Sequence, residues 1–108
     1  MNGAASGHYY ENYVIGELVR NYAYGKAAVN LNFYRDTHQK EIDLVIEEDG
    51  ILHPIEIKKG TNPERNAIRT FSVLKNSVKP VGTGGIICMT DTPFPIDEKN
   101  NLIPSNII

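Results

Sequence analysis

The chain carries one cysteine in 108 residues, which excludes an internal disulfide framework, and a lone thiol cannot build a zinc site. Its setting, GGIICMT, is apolar, so Cys88 reads as a buried structural thiol and not as a nucleophile. No stretch approaches the roughly 20 apolar residues that span a bilayer, and no signal peptide is visible. A cytoplasmic protein without membrane contact is therefore expected. Positive charge is also short, with a net charge of −2 and a pI of about 5.9. A nucleic-acid-binding module usually shows a basic patch, so this balance speaks against a simple binding module. It speaks less against an enzyme whose acidic site is neutralised by a bound cation. GTGG lacks the Gly-Lys-Ser/Thr of a phosphate-cradling loop, which excludes a Walker motif. His8, His38 and His53 show no metal-ligand spacing and read as loop or surface residues, with His53 on the core face of its strand if hydrogen-bonded.

What is present is an ordinary globular composition, 41% hydrophobic and 22% charged, at a length that fits one domain. Residues 1–6, MNGAAS, read as a frayed or added end, leaving a single domain over 7–108. An apolar stripe at helical spacing predicts a helix from about Tyr9 to Tyr22. NLNFYRD alternates as a strand, THQK is a turn, and KEIDLVIEEDGILHPIEIKKG reads as a hairpin. Asn62-Pro63-Glu64 is a helix-start signal, followed by Ala67, Ile68, Phe71 and Leu74 on one face. GTGG is a loop and IICM a short buried strand. The tail, TPFPIDEKNNLIPSNII, has three prolines and is expected to be mostly irregular, with room for one edge strand. The order αβββαβ predicts an α/β fold with a mixed four-stranded sheet flanked by helices.

The hairpin holds the chemistry. Asp49-Gly50 as a two-residue type I′ turn sets Glu48 opposite Ile51, Leu44 opposite Ile55 and Asp43 opposite Glu56. Asp43 and Glu56 then form a non-hydrogen-bonded pair, with β-carbons about 4.5 to 5.5 Å apart. Pro54 falls on a position where its missing N–H costs the hairpin nothing. In this register Glu41, Asp43, Glu56 and Lys58 share one face, and Ile42, Leu44, Ile46, Ile55 and Ile57 share the other. Two facing carboxylates repel, yet both reach a single divalent ion, whose oxygen ligands sit at about 2.0 to 2.1 Å for magnesium. On the first helix Val14, Ile15, Leu18 and Tyr22 form the apolar stripe, and Glu11 lies about 20° from Leu18 on that wheel. A carboxylate inside a buried stripe is costly unless paired or metal-bound, whereas Glu17 falls at the solvent edge. Plainer roles exist for each group: a Glu41–Lys58 cross-strand ion pair, Glu11 as a helix cap, or Asp43 and Glu56 facing solvent. Arg65 and Arg69 read as a solvated helix face, with phosphate contact the alternative. Tyr9 and Tyr13 lie off the stripe, where they would be free to meet a partner.

Gly7-x-x-x-Glu11 on a helix, Asp43 in a strand, and Glu56-Ile57-Lys58, in that order, resemble the PD-(D/E)XK, or restriction endonuclease-like, nuclease superfamily. More closely, GHYYENYVIGELV, NFYRDTHQKEIDLVIEEDG and HPIEIKKG are similar to the uncharacterised C-terminal domain of prokaryotic AAA-type ATPases. These stretches cover most of the chain from Gly7 to Gly60. The Pro that usually precedes the Asp is Ile42 here. The resemblance implies a restriction endonuclease-like core and a Mg2+- or Mn2+-dependent phosphodiesterase acting on nucleic acid. It implies that Asp43, Glu56 and the backbone carbonyl of Ile57 ligate metal. Lys58 would assist the attacking water, and Glu11 would bind or position a second ion or its water. It also implies an AAA-type ATPase domain in the same polypeptide, outside this chain, so that this chain is the C-terminal part of a longer protein. The alternative is a catalytically silent interaction or regulatory domain attached to such an ATPase. The sequence leaves DNA against RNA and any homo-oligomer open.

Overall fold

A computed structural model describes residues 3–23, 29–35 and 41–107. The expected turn at 37–40, His38 and Tyr24 lie outside the described residues, as does the side chain of Tyr22. Helix α1 (Gly3–Ala23) starts ahead of the expected Tyr9. It is followed by β1 (Val29–Arg35), β2 (Glu41–Glu48) and β3 (Ile51–Ile57), then a 3₁₀ helix (Arg65–Asn76) and β4 (Gly84–Cys88). Two strands come after these, β5 (Phe94–Pro95) and β6 (Asn100–Pro104). The sheet is mixed and six-stranded in the order β1-β2-β3-β4-β6-β5, which corrects the expected four strands. The tail is the source of the difference. Its β6 runs parallel beside β4, and β5 forms the edge with Pro95, where a missing N–H does no harm. No helix among the described residues is long and apolar enough to cross a membrane.

The β2–β3 hairpin follows its turn chemistry. Asp49 and Gly50 both take positive φ, 55° and 78°, as a type I′ turn requires. From there Glu48 pairs with Ile51, Val45 with Pro54 and Leu44 with Ile55. On the other side of β2 the register slips. Asn32 of β1 faces Val45, but Tyr34 faces Ile42, so β2 spends Asp43 and Leu44 where β1 spends Phe33 alone. This is a β-bulge, and it turns over the alternation of side chains beyond it.

The slip corrects the expected division into a core face and a charged face. Leu44, Ile46, Ile55 and Ile57 pack with Tyr10, Val14 and Leu18 of α1, but Ile42 joins Val45, Leu52, Phe71 and Leu74 on the opposite face. Both faces are therefore covered, one by α1 and the other by the 3₁₀ helix, and the charges gather at one end of β2 and β3. Fully burying each large apolar side chain contributes about 1.5–3 kcal/mol, an upper estimate.

The second helix is also not the α-helix that Asn62 and Pro63 announced. Glu64 is extended and gives no side-chain cap, while Asn62 and the Pro63 carbonyl accept from the Arg65 guanidinium instead. The reason lies in a period of three. Ile68, Phe71 and Leu74 make one row, Ala67, Thr70 and Val73 a second, and exposed Asn66, Arg69, Ser72 and Lys75 a third. Three residues per turn keep these rows straight, and 3.6 would spread them around the helix.

Two glycines test this packing with opposite signs. A Cβ on Gly85 would stand 2.1 Å from the Asn101 carbonyl oxygen, whereas one on Gly16, inside α1, meets nothing within 4 Å. Gly85→Ala is expected to cost at least about 1–3 kcal/mol in urea unfolding, and Gly16→Ala to add about 0.5–1 kcal/mol. A neutral Gly85→Ala would contradict the close approach of β4 and β6.

Candidate metal centre

The bulge sets the site. Between β2 and β3 the pairing ends at Leu44–Ile55, one step short of the expected Asp43–Glu56 pair. The next inward-facing N–H, that of Ile57, is taken by the side chain of Asp43, with Oδ2 accepting at 2.8 Å. On the other edge of β3, the Lys58 N–H donates to the Ile87 carbonyl at 3.0 Å. Strand alternation therefore turns both the N–H and the C=O of Ile57 toward β2. Asp43 and the Ile57 N–H meet where the strands part, on the edge of β3 that also carries the Ile57 carbonyl.

Glu56 approaches from the face under the 3₁₀ helix. Among the described residues it is the one charged residue buried in the core, 5% exposed. Its Oε1 accepts from the Thr70 hydroxyl at 3.2 Å, and its Oε2 lies 3.9 Å from Lys58 Nζ. Burial above all, then the charge of Asp43 and a hydrogen bond with the Asp43 carboxyl, push Glu56 up to about 8. Lys58 and Thr70 oppose that rise without cancelling it. The two carboxyls thus act on one another electrostatically although they are not a register pair.

From the α1 side, Glu11 faces the same point. Burial first, and next the Asp43 charge, raise its carboxyl above the ordinary value, with His8 and Lys58 acting the other way. Glu11, Asp43, Ile57, Lys58, Lys59 and His8 line an open cleft of about 250 Å³. Glu56 does not line it; its buried carboxyl is reached through Asp43 and Lys58. Three larger hollows lie elsewhere among the described residues. The one between Asn32, Val45, Leu52 and Leu74 has no titratable lining, another holds only Glu48 and His53, and the third is a shallow turn at 97–100 whose Asp97 carboxylate is already taken by the Lys99 and Asn100 N–H groups. Chemistry, not size, selects the small cleft.

The sequence-predicted residues Glu11, Asp43, Glu56, Ile57 and Lys58 therefore converge on one end of β2 and β3. Among the described residues, no three His, Cys, Asp or Glu side chains stand close enough together to hold an ion. For an ion at this point Asp43 and Glu56 could supply two carboxylate donors, and a third would have to come from the backbone at Ile57. All are hard oxygens, which suits magnesium or manganese and not a thiophilic metal. Two carboxyls held together at the expense of a raised pKa are what a divalent cation would relieve. Sequence reasoning missed Thr70, His8 and Lys59. Of these, only Thr70 had a signal, a hydroxyl in the otherwise apolar Ala67–Val73 row. The other candidates stand apart: Arg69, Tyr9 and Tyr13 are exposed, and Arg65 lies over the Phe94 ring at 5.8 Å. His53 Nδ1 lies 2.7 Å from the Thr83 carbonyl, and Cys88 is buried.

Residues 6–108 match the family model described as Domain of unknown function (DUF4143). No curated protein and no solved structure matches the chain.

The raised Glu56 carboxyl dictates a pH dependence in metal-free protein. Its folded value lies above the unfolded one, so the stability it contributes is complete below about 4.5 and is lost as pH rises through about 8. The unfolding free energy without metal is expected to fall across that window, by up to about 1.4 kcal/mol per pH unit, and the melting temperature with it. Glu56→Gln should flatten the fall. An identical profile in the variant would contradict the assignment.

Proposed function

The chain belongs to the DUF4143 family, and from that premise we propose a divalent-metal-dependent, nuclease-like domain that hydrolyses nucleic-acid phosphodiesters. The observation that carries this reading is the gathering at one end of the hairpin of Asp43, which accepts from the Ile57 N–H, and buried Glu56, whose Oε2 lies 3.9 Å from the Lys58 amine. The ordered set Glu11, Asp43, Glu56-Ile57-Lys58 supports it through its likeness to the PD-(D/E)XK superfamily, including the domain attached to AAA-type ATPases. Mg2+ or Mn2+ is the ion proposed, held by Asp43, Glu56 and the Ile57 carbonyl.

Phosphodiester hydrolysis requires an oriented water, a place for its proton, and positive charge where the phosphoryl oxygens gain negative charge. Lys58 is the group proposed for the first and third tasks, supported by a side chain 47% exposed and an amine 3.9 Å from Glu56. Glu11 faces the same opening with a carboxyl that burial, and then the Asp43 charge, raise above its ordinary value, a group suited to hydrogen-bonding water there. A divalent ion, when bound, supplies Lewis-acid polarisation and a more acidic water. The net charge of −2 leaves few cations for gripping a nucleic-acid backbone, and this favours contacts supplied by an ATPase portion of the same polypeptide. It equally gives weight to a second reading, a catalytically silent interaction or regulatory domain attached to an AAA-type ATPase and built on the same fold.

Calorimetric titration of Mn2+ into the chain, with nicking assays on DNA and RNA, separates the two. Binding is expected in the wild type and absent in Asp43→Ala. Lys58→Ala should keep the metal and lose at least about 100-fold in cleavage. No heat at millimolar Mn2+ would end the metal reading, and binding without cleavage of any substrate would leave the interaction module.

A further inference from the structure

The Asp43–Glu56 pair needs more than two carboxyls in proximity. Glu56 has three side-chain torsions and is buried, 5% exposed. One of its oxygens has to be held away so that the other is presented. The group in position to do this is Thr70, which belongs to a different element and to no part of the motif that drew attention to the site.

Thr70 occupies the middle of the Ala67–Thr70–Val73 row, on the side of the 3₁₀ helix turned toward the sheet. That helix is fixed by buried Phe71 and Leu74 against Ile42, Val45 and Leu52. Ile68 packs against the same cluster, so the hydroxyl is anchored by packing on both sides of it in sequence. Oγ1 lies 3.2 Å from Glu56 Oε1 and 3.3 Å from the Ala67 carbonyl oxygen. A hydroxyl has a single proton to give, so the two acceptors compete for it. An ionised carboxylate is the stronger acceptor, and the Ala67 carbonyl is the one a helical threonine would otherwise choose. When Glu56 is charged, the proton goes to Oε1, and Oε2 faces Lys58.

We propose that Thr70 is a positioning residue for the metal: by donating to Oε1 of Glu56 it fixes the carboxylate so that the remaining oxygen is offered beside Asp43. The assignment rests on the metal reading of the preceding subsection. It adds a donor on the 3₁₀ helix to the hairpin and α1 residues, so that all three elements set the centre. Hydrogen-bonding partners of ligating carboxylates typically account for 10–100-fold in metal affinity.

The test uses Mn2+ alone as probe, read by calorimetry and by the electron paramagnetic resonance signal of free ion. It compares wild type, Thr70→Val and Thr70→Ser, each also melted without metal. Thr70→Val keeps the shape and removes the proton, and is expected to bind Mn2+ at least about tenfold more weakly. Its metal-free melting temperature should stay within about 4 °C of wild type. Thr70→Ser keeps the hydroxyl and should restore affinity to within about twofold of wild type. If Thr70→Val does not fold, Thr70→Ala read the same way takes its place. Equal Mn2+ affinity in wild type and Thr70→Val overturns the assignment while leaving the metal centre intact. So does an affinity loss in Thr70→Ser as large as in Thr70→Val, because the hydroxyl is then not what matters. A wild type that binds no Mn2+ overturns the metal centre, and the role of Thr70 falls with it.

Discussion

One hydrogen bond organises this end of the molecule: the Asp43 carboxylate accepting the N–H of Ile57. In an uninterrupted hairpin that N–H would go to a backbone carbonyl of β2. The bulge at Asp43 and Leu44 removes that partner, and a buried N–H left unpaired costs about 1–3 kcal/mol. Asp43 supplies the missing acceptor from its side chain and so is pinned in the plane of the sheet, at the point where β2 and β3 separate. The separation in turn leaves the Ile57 carbonyl turned toward Asp43. Without the bulge there would be a longer ladder and no cleft.

The two layers of the fold then deliver the remaining groups. Helix α1 packs Tyr10, Val14 and Leu18 on one face, which brings Glu11 to the opening. The 3₁₀ helix packs Phe71 and Leu74 on the other, which brings Thr70 to Glu56. Each helix buries an apolar stripe for stability, and each has one polar residue at the margin of that stripe aimed at the same place. Holding Asp43 and Glu56 in contact works against stability, since burial and a neighbouring carboxylate both oppose ionisation of Glu56. Such a conflict between local choices and the fold is common where a protein binds something, and here a divalent cation is the group that would resolve it.

Much of this was legible in the residues. Asp49-Gly50 fixes its own turn, because both positions need positive φ, and the turn fixes the register as far as Leu44–Ile55. Glu11 was conspicuous because a carboxylate near an apolar stripe is costly. The bulge was not legible: one extra residue in β2 changes no local propensity, and its effect on Ile42 appears only when β1 and the 3₁₀ helix are in place. The strict alternation assumed across Asp43 therefore put Ile42 on the wrong face. The period of three in Ile68, Phe71 and Leu74 was visible, but Asn62 and Pro63 drew attention to an α-helix start. Strand β6 escaped because Asn100, Asn101 and Pro104 read as a loop. Its place is set by parallel pairing with β4, a contact that sequence periodicity does not carry.

The claim that all of this supports is that Asp43, Glu56 and the Ile57 carbonyl share one divalent ion. Crystals of the chain grown with Mn2+ and measured at the manganese absorption edge test it directly. The expected result is an anomalous peak in contact with both carboxylates and with the Ile57 carbonyl oxygen. A map with no peak there, or with manganese bound only elsewhere on the molecule, would contradict it.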